Sequence, residues 1–134
     1  MELPRTVISE SYSVRGSVVL TRTGSVIEVE HEKFLLVVAK DARGFIALCT
    51  INTKSRRHGL AQVGITPKDL PCLSHDSFVN CANVVFVEEA RFSKSLDEGV
   101  FIPKGHIGQD VIERVLEAGR NCRLLKPFER EFFE

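Results

Sequence analysis

The residues best suited to chemistry are concentrated in one polar and basic stretch, Asn52-Thr-Lys-Ser-Arg-Arg-His-Gly59. Lys54, Arg56 and Arg57 carry cationic nitrogens that donate strong hydrogen bonds to phosphate oxygens. Histidine titrates near physiological pH, so His58 is a candidate acid or base. The same composition is equally typical of a solvated hairpin loop. The stretch therefore predicts either a phosphate-binding loop, with or without acid–base chemistry at His58, or a loop that only contacts water.

Two threonines lie at the start of this stretch. Thr50 and Thr53 each carry a hydroxyl that can donate a hydrogen bond to a phosphate or accept one. Threonine also favours strands, because its side chain is branched at Cβ, and its hydroxyl commonly binds backbone groups in turns. We expect this structural explanation to hold for at least one of the two.

Two other clusters are less suited to catalysis. Ser77 directly follows His75 and Asp76, but adjacent residues of a strand point to opposite faces, so adjacency does not make a catalytic triad. Cys72, His75 and Cys81 offer ligands that zinc accepts, but the sequence shows no fourth. The four cysteines lack CxxC spacing and are expected to stay reduced. No metal or cofactor site is predicted.

Composition is typical of a soluble globular domain. The 134 residues are 43% hydrophobic and 27% charged, and 18 basic residues balance 18 acidic ones. No apolar run approaches the roughly 20 residues of a membrane helix, so no membrane span is predicted. The first residues lack the basic and then apolar pattern of a signal peptide, and we expect a cytoplasmic protein. A balanced total charge neither favours nor excludes nucleic acid as a partner.

Short apolar segments must position these side chains. Residues 34–39 form a continuous run rich in β-branched side chains, which predicts a central strand, and residues 41–44 have turn composition. Residues 45–51 are expected to pair with that strand as a hairpin and to run directly into the basic stretch. Other strands are predicted at residues 17–21, 25–30, 60–65 and 77–88, the last as one long strand or two broken at Asn83.

The last third of the chain contains the clearest helical pattern. Five apolar residues recur there at helical spacing: Ile107, Val111, Ile112, Val115 and Leu116. Gly119 is predicted to end this helix. Residues 91–96 are predicted as an edge segment of the sheet. The apolar tail that follows the helix is expected to pack on the domain, or to bind a second copy or another partner.

Many short strands followed by one helix predict a mainly β domain, built as a strongly bent antiparallel sheet or a small barrel with the helix packed against it. The expected organisation is an N-terminal extension at residues 1–14, a barrel domain with its helix at residues 15–119, and a C-terminal tail at residues 120–134.

This order of elements resembles the MazF/PemK family of toxins, whose fold is a small SH3-like β-barrel shared with CcdB. The resemblance covers about residues 15–119. It rests on five segments: Arg15-Gly-Ser-Val-Val-Leu20, residues 34–39, Cys49-Thr-Ile-Asn-Thr-Lys-Ser55, Ser77-Phe-Val-Asn-Cys81, and Gly99 followed by the helix. They correspond to the opening strand, the central strand, the strand that enters the active loop, the serine-containing strand and the end of the family's domain.

The resemblance implies an endoribonuclease of a toxin–antitoxin system. Such a protein binds single-stranded RNA, cleaves it without a metal or cofactor, and works as a dimer whose groove an antitoxin peptide can occupy. The chemistry requires a base that takes the proton of a ribose 2′-hydroxyl, and a cation or donor that stabilises the pentacoordinate phosphate.

The resemblance also indicates site residues. An arginine precedes the central strand in the family, and here Lys33 lies near that position and supplies a point charge. Thr50 or Thr53 takes the position of the family's threonine. Some members use an arginine and an aspartate around the later strand, where this chain has Asn80 and Ala82. The predicted catalytic residues are Thr53, Thr50 and His58, and the predicted substrate-binding residues are Lys33, Lys54, Arg56, Arg57, Ser77 and Asn80.

Two other functions fit the same sequence. Because the family's arginine and aspartate positions are not matched, the domain is alternatively a catalytically inactive binding module that recognises a protein or a nucleic acid. A more distant alternative is a CcdB-like inhibitor that acts by protein contact through its phenylalanine-rich tail.

Overall fold

The structure is a computed structural model that describes residues 12–22, 33–53 and 61–134. The strands in these ranges are β1 (Ser17–Thr21), β2 (Lys33–Lys40), β3 (Phe45–Asn52), β4 (Gln62–Ile65), β5 (Ser77–Glu88) and β6 (Phe101–His106). The helices are α1 (Glu89–Asp97), α2 (Gln109–Arg120) and α3 (Pro127–Arg130), followed by a 3-10 turn at Glu131–Phe133. The strand predicted at residues 25–30 lies outside the described residues.

The described strands form one antiparallel sheet in the order β4-β5-β3-β2-β1-β6. The predicted hairpin of β2 and β3 is confirmed. Its turn is held by Asp41, whose Oδ1 accepts hydrogen bonds from the backbone N–H groups of Arg43 and Phe45. Among the described strands, β4 and β6 remain the two edges of an open sheet. The mainly β architecture is therefore as expected, whereas the strands of the described ranges do not close into a barrel.

The pairing of β5 determines which side chains share a face. This element is one continuous strand, and Thr50 of β3 lies opposite Asn80 while its neighbour Cys49 lies opposite Val84. Three residues of β5 are thus inserted between consecutive residues of β3, which makes a large bulge. Because opposite residues of paired strands share a face, Asn80 and Val84 point to opposite sides of the sheet. The bulge therefore exchanges the sheet faces to which odd- and even-numbered residues of β5 point.

Each face of the sheet packs against a different helix. Helix α2 covers the first face, where Val111 and Val115 join a core with Leu36, Cys49 and Val79. Helix α1 covers part of the second face, where a smaller cluster forms at the β3 residues Ile46 and Leu48. This second cluster is completed by Val19, Leu35, Val37, Val87, Phe92 and Phe101.

The prediction of an edge segment at residues 91–96 is wrong, because these residues belong to helix α1. Phe92 and Ser95 are buried on one side of this helix, three residues apart, while Arg91 and Lys94 are exposed. The Phe92 ring packs against the ring of Phe101 with 5.4 Å between centroids. The helical spacing was hidden because only one large apolar residue marks the buried side in the first two turns.

The prediction that Gly119 ends the second helix is also wrong, since α2 continues to Arg120. The packing of the C-terminal tail explains why a glycine stands at this position of the helix. Phe133 is completely buried in the first cluster, and its ring occupies the position that a Cβ on Gly119 would take. Gly119 thus allows close packing of the tail against the helix.

The tail is held to the domain by hydrogen bonds as well as by apolar contacts. Arg15 donates to the backbone carbonyls of Phe132 and Glu134 at 3.1 and 2.9 Å, and Arg120 donates to that of Phe133 at 3.0 Å. Of the alternatives predicted for the tail, the structure therefore shows that it packs on its own domain. No helix among the described residues is long and apolar enough to cross a membrane.

Candidate functional site

Polar side chains occupy the end of the second sheet face that lies beyond the cluster under α1. Strand β3 leaves this cluster after Leu48 and continues with Thr50 and Asn52 on the same face, because alternate residues of a strand share a face. Leu35 of β2 lies opposite Thr50, so Lys33, two residues before it, also points to this side. The sheet thereby brings a cation, an amide and a hydroxyl to one end of one face.

A chain of hydrogen bonds connects these three groups. The Lys33 Nζ donates to the Asn52 Oδ1 at 3.4 Å, and the Asn52 Nδ2 donates to the Thr50 Oγ1 at 3.5 Å. Both bonds are long, so they constrain the Lys33 ammonium and the Thr50 hydroxyl only weakly, and Thr50 is 7% exposed. Because Asn52 donates to the threonine oxygen, the Thr50 hydroxyl proton is directed elsewhere, as a hydrogen-bond donor.

Strands β5 and β4 extend the polar surface. Asn80 lies opposite Thr50 on one side and opposite Gln62 on the other. One rung across three strands therefore carries Thr50, Asn80 and Gln62 on a single face. The next rung carries Asn52, Phe78 and Gly64. We call the surface formed by Lys33, Thr50, Asn52, Phe78, Asn80 and Gln62 the polar rungs.

The predicted site residues separate into three groups. Lys33, Thr50 and Asn80 come together in the polar rungs. Thr53 is exposed directly after β3, whereas Ser77 is buried on the opposite face, where its Oγ donates to the His75 carbonyl at 3.3 Å. The other predicted residues, Lys54, Arg56, Arg57 and His58, lie outside the described residues.

Three members of the polar rungs were not singled out by sequence reasoning. Asn52 stands at the start of the basic stretch, and its spacing of two residues from Thr50 was the available signal. Gln62 and Phe78 gave no comparable signal, because their position depends on β4 pairing with β5. That pairing joins segments that are separated in sequence by a loop with two prolines.

The polar rungs are chemically suited to bind an anion through a cation and an oriented hydrogen-bond donor. Lys33 supplies a positive charge and Thr50 a hydroxyl proton, and both fit a phosphate oxygen. Among the described members, none is a carboxylate or an imidazole that would accept a proton at neutral pH. A reaction at this surface that needs a general base would have to take it from outside the polar rungs, and His58 is the residue predicted for that role from the sequence.

Two clefts lie elsewhere, at the opposite end of β3. One has a volume of about 580 Å³ and is lined by Arg43, Phe45 and Glu89; the other, of about 340 Å³, lies between the β2–β3 turn and the C-terminal tail. Several of their charged groups are already paired, as in the ion pair of Lys40 with Glu89 at 3.1 Å. These clefts are therefore less suited to bind a charged ligand than the polar rungs are.

The zinc alternative gains no support from the described part of the chain. Cys81 is completely buried in the first cluster and His75 is exposed. No group of three His, Cys, Asp or Glu side chains in the described ranges is placed to hold a metal ion.

Comparison with known proteins supports the fold at the level of structure. No protein-family model matches the sequence, and no curated protein matches it either. Among solved structures, the chain is similar to the toxin MazF-mt6 of Mycobacterium tuberculosis, with a TM-score of 0.55 and 13% sequence identity. The match covers 80% of this chain and 94% of the toxin. At this identity the likeness establishes a MazF-like fold.

Proposed function

We propose that this protein is a toxin-like endoribonuclease that binds single-stranded RNA across the polar rungs and cleaves it by attack of a ribose 2′-hydroxyl. The observation that carries the proposal is the chain Lys33–Asn52–Thr50, which places a cation and a directed hydroxyl together at the end of the central strands. The MazF-like fold supports the same reaction class.

The proposed reaction uses a nucleophile that the substrate itself provides. The 2′-oxygen attacks the adjacent phosphorus while the 5′-oxygen of the next nucleotide leaves and takes up a proton. The products are a 2′,3′-cyclic phosphate and a 5′-hydroxyl. Lys33 and Thr50 stabilise the negative charge of the pentacoordinate phosphate, and a preorganised donor of this kind typically contributes about 10²- to 10³-fold in rate.

Proton transfer is assigned to His58, with contacts to flanking phosphates from Lys54, Arg56 and Arg57. These residues directly follow β3 in sequence, and Thr53 stands between them and Asn52. Removing the 2′-hydroxyl proton by a positioned base typically contributes about 10²- to 10⁴-fold in rate. We expect Thr53 to contact substrate at the same end of β3.

A test of the reaction starts from purified protein, a long structured RNA and an unstructured RNA, with excess chelator, and maps the cut ends. Thr50→Val keeps the volume of the side chain and removes its hydroxyl, and we expect it to lower the cleavage rate about 10²- to 10³-fold. Ser74→Ala removes an exposed hydroxyl elsewhere and serves as the matched control. Equal cleavage by wild type and Thr50→Val would remove Thr50 from the site.

A second candidate function is a binding module with the same surface and no turnover. The observation that favours it is the absence of a general base among the described members of the polar rungs. Intact RNA together with salt-sensitive binding would establish this alternative, because contacts with phosphate release counterions and weaken as salt rises. Cleavage that disappears in His58→Ala would exclude it.

The toxin role carries further proposals about partners and location. We propose a homodimer and an antitoxin partner because the resemblance to the MazF/PemK family implies both, together with the cytoplasmic setting expected from the sequence. Sedimentation equilibrium tests the dimer. Growth arrest on induction, relieved by a neighbouring gene product that co-purifies with this chain, tests the toxin and its antitoxin.

A further inference from the structure

An aromatic side chain, Phe78, lies on the polar rungs near Lys33 and Thr50, the two groups proposed to contact phosphate. Phe78 is half-buried, whereas its neighbour Val79 is completely buried on the other face. Phe78 lies opposite Asn52 on β3 and opposite Gly64 on β4. A Cβ on Gly64 would lie 3.9 Å from Phe78 Cε1, so the ring extends over a position that has no side chain of its own.

Two uncharged amides accompany this ring. Asn80 lies two residues along the same strand and opposite Gln62. The Asn80 Oδ1 accepts a hydrogen bond from the backbone N–H of Ala82 at 3.1 Å. This bond fixes the orientation of the amide, so that the Nδ2 group of Asn80 is turned away from Ala82 as a donor.

The spacing of these groups suits a nucleotide better than an isolated phosphate. Lys33 and Phe78 stand on β2 and β5, which are separated by β3, and two strand spacings amount to about 10 Å. A ligand that reaches both must combine an anion with a planar group. Aromatic rings stack on unpaired bases, and amide side chains hydrogen-bond to base edges.

We propose that Phe78, Asn80 and Gln62 form a nucleobase subsite that takes one unpaired base of a single-stranded RNA whose phosphate contacts Lys33 and Thr50. This inference rests on the proposed RNA substrate and adds the residues that recognise a base. Phe78 provides the stacking surface, and the fixed Asn80 amide presents a donor to an acceptor on the base edge. The subsite therefore makes both affinity and sequence preference depend on β5.

The test measures binding separately from cleavage. A fluorescent oligonucleotide with 2′-O-methyl riboses cannot be cleaved through a 2′-alkoxide, so its affinity is measured at equilibrium with the full chain. Phe78→Leu keeps an apolar side chain and removes the aromatic surface, and we expect it to weaken binding about 5- to 150-fold, the effect of losing one stacked base. Phe86→Leu is the matched control, because Phe86 lies on the same strand and packs against Phe128 and Phe132 of the tail.

A second measurement keeps the inference testable if Phe78→Leu folds poorly. Competition by a nucleoside monophosphate is compared with competition by ribose 5-phosphate on wild type. The subsite predicts at least about 5-fold stronger competition by the nucleotide, the lower limit for one stacked base. Asn80→Asp replaces the donor by an acceptor and is expected to change the preferred base at one position of the bound sequence.

The possible outcomes separate the two proposals. RNA binding that is equal in wild type, Phe78→Leu and Phe86→Leu, with equal competition by the two phosphates, overturns the subsite and leaves the RNA function standing. Failure of wild type to bind any RNA overturns both the RNA function and the subsite. A protein that is the true ligand of this surface would give that result. Loss of affinity in Phe78→Leu with retention in Phe86→Leu supports the subsite.

Discussion

The ring of Phe133 occupies the space in which a side chain on Gly119 would have to lie. The two residues are 14 positions apart in sequence, and their contact locks the end of the chain onto helix α2. Because helix and ring are both buried at this point, the contact has little room to adjust. The tail is therefore part of the core of the domain.

Gly119→Ala distinguishes packing from helix propensity by the sign of its effect. Propensity alone predicts stabilisation of about 1 kcal/mol for alanine within a helix. Overpacking a fixed site typically costs about 1–3 kcal/mol and sometimes more, so we expect a net decrease in the free energy of unfolding. Urea denaturation measures this difference, with Glu117→Ala at an exposed position of α2 as the control. A variant as stable as wild type or more stable would show that the tail can move aside.

Removing the anchor of the tail should cost more than removing an exposed apolar residue beside it. Phe133→Ala deletes a completely buried ring, and we expect a loss of about 3–5 kcal/mol of stability. Leu124→Ala changes a residue that is 64% exposed and should stay within about 0.5 kcal/mol of wild type. Thermal and urea unfolding measure the stabilities of the two variants. Equal effects would mean that the tail contributes little to the core.

Asp41 gives the β2–β3 turn a dependence on pH. The N–H of Phe45, with the side chain and N–H of Arg43, donates to this carboxylate and lowers the pKa of Asp41 below its ordinary value. The stabilisation is therefore complete above the unfolded pKa of about 3.9 and is lost as the pH falls through the lower folded value.

Asp41→Asn tests this linkage. We expect the variant to be less stable than wild type at neutral pH, and the difference in unfolding free energy to shrink as the pH drops below about 4. Asp76→Asn, in an exposed loop, provides the control across the same pH series. A difference that stays constant with pH would assign the effect to geometry instead of charge.

The four free cysteines should differ in reactivity. Cys49, Cys81 and Cys122 are buried and Cys72 is half-buried. The Cys81 thiol, together with burial, raises the pKa of Cys49 well above its ordinary value, so Cys49 stays a thiol at neutral pH. Titration with a thiol reagent should label one cysteine in the native protein and four after denaturation, and Cys72→Ser should remove the native signal. Rapid labelling of Cys49 in the folded protein would contradict this packing.

Lys33→Arg should increase cleavage if Lys33 contacts the reacting phosphate. A guanidinium forms two parallel hydrogen bonds with a phosphate where an ammonium acts as a point charge, and we expect kcat/KM to rise by up to about 10-fold, which corresponds to one bidentate contact of about 1.4 kcal/mol. Lys33→Met should lower it, whereas Lys94→Met, on the far face of α1, should not. A fall of equal size in Lys33→Arg and Lys33→Met would contradict a contact between the residue 33 cation and the reacting phosphate, because Lys33→Arg retains the positive charge.

Local sequence patterns were sufficient for the elements that position the site. The apolar runs at β2 and β3, the turn composition at residues 41–44 and the helical spacing of α2 each predict an element without reference to the rest of the chain. Thr50 was identified because it stands where a strand runs into a polar stretch, which is a local feature, whereas Lys33 was identified only through the resemblance to the MazF/PemK family.

The tertiary structure alone determined which of these residues share a surface. The pairing of β5 with β3 puts Asn80 beside Thr50, and the bulge that follows puts Val84 on the opposite face from Asn80. Counting along the sequence does not reveal such an insertion, because it is defined by the partner strand. The pairing of β4 with β5, which brings Gln62 and Gly64 to Phe78, is likewise a contact between distant segments. Local propensity fixed the strands, and long-range pairing fixed their faces.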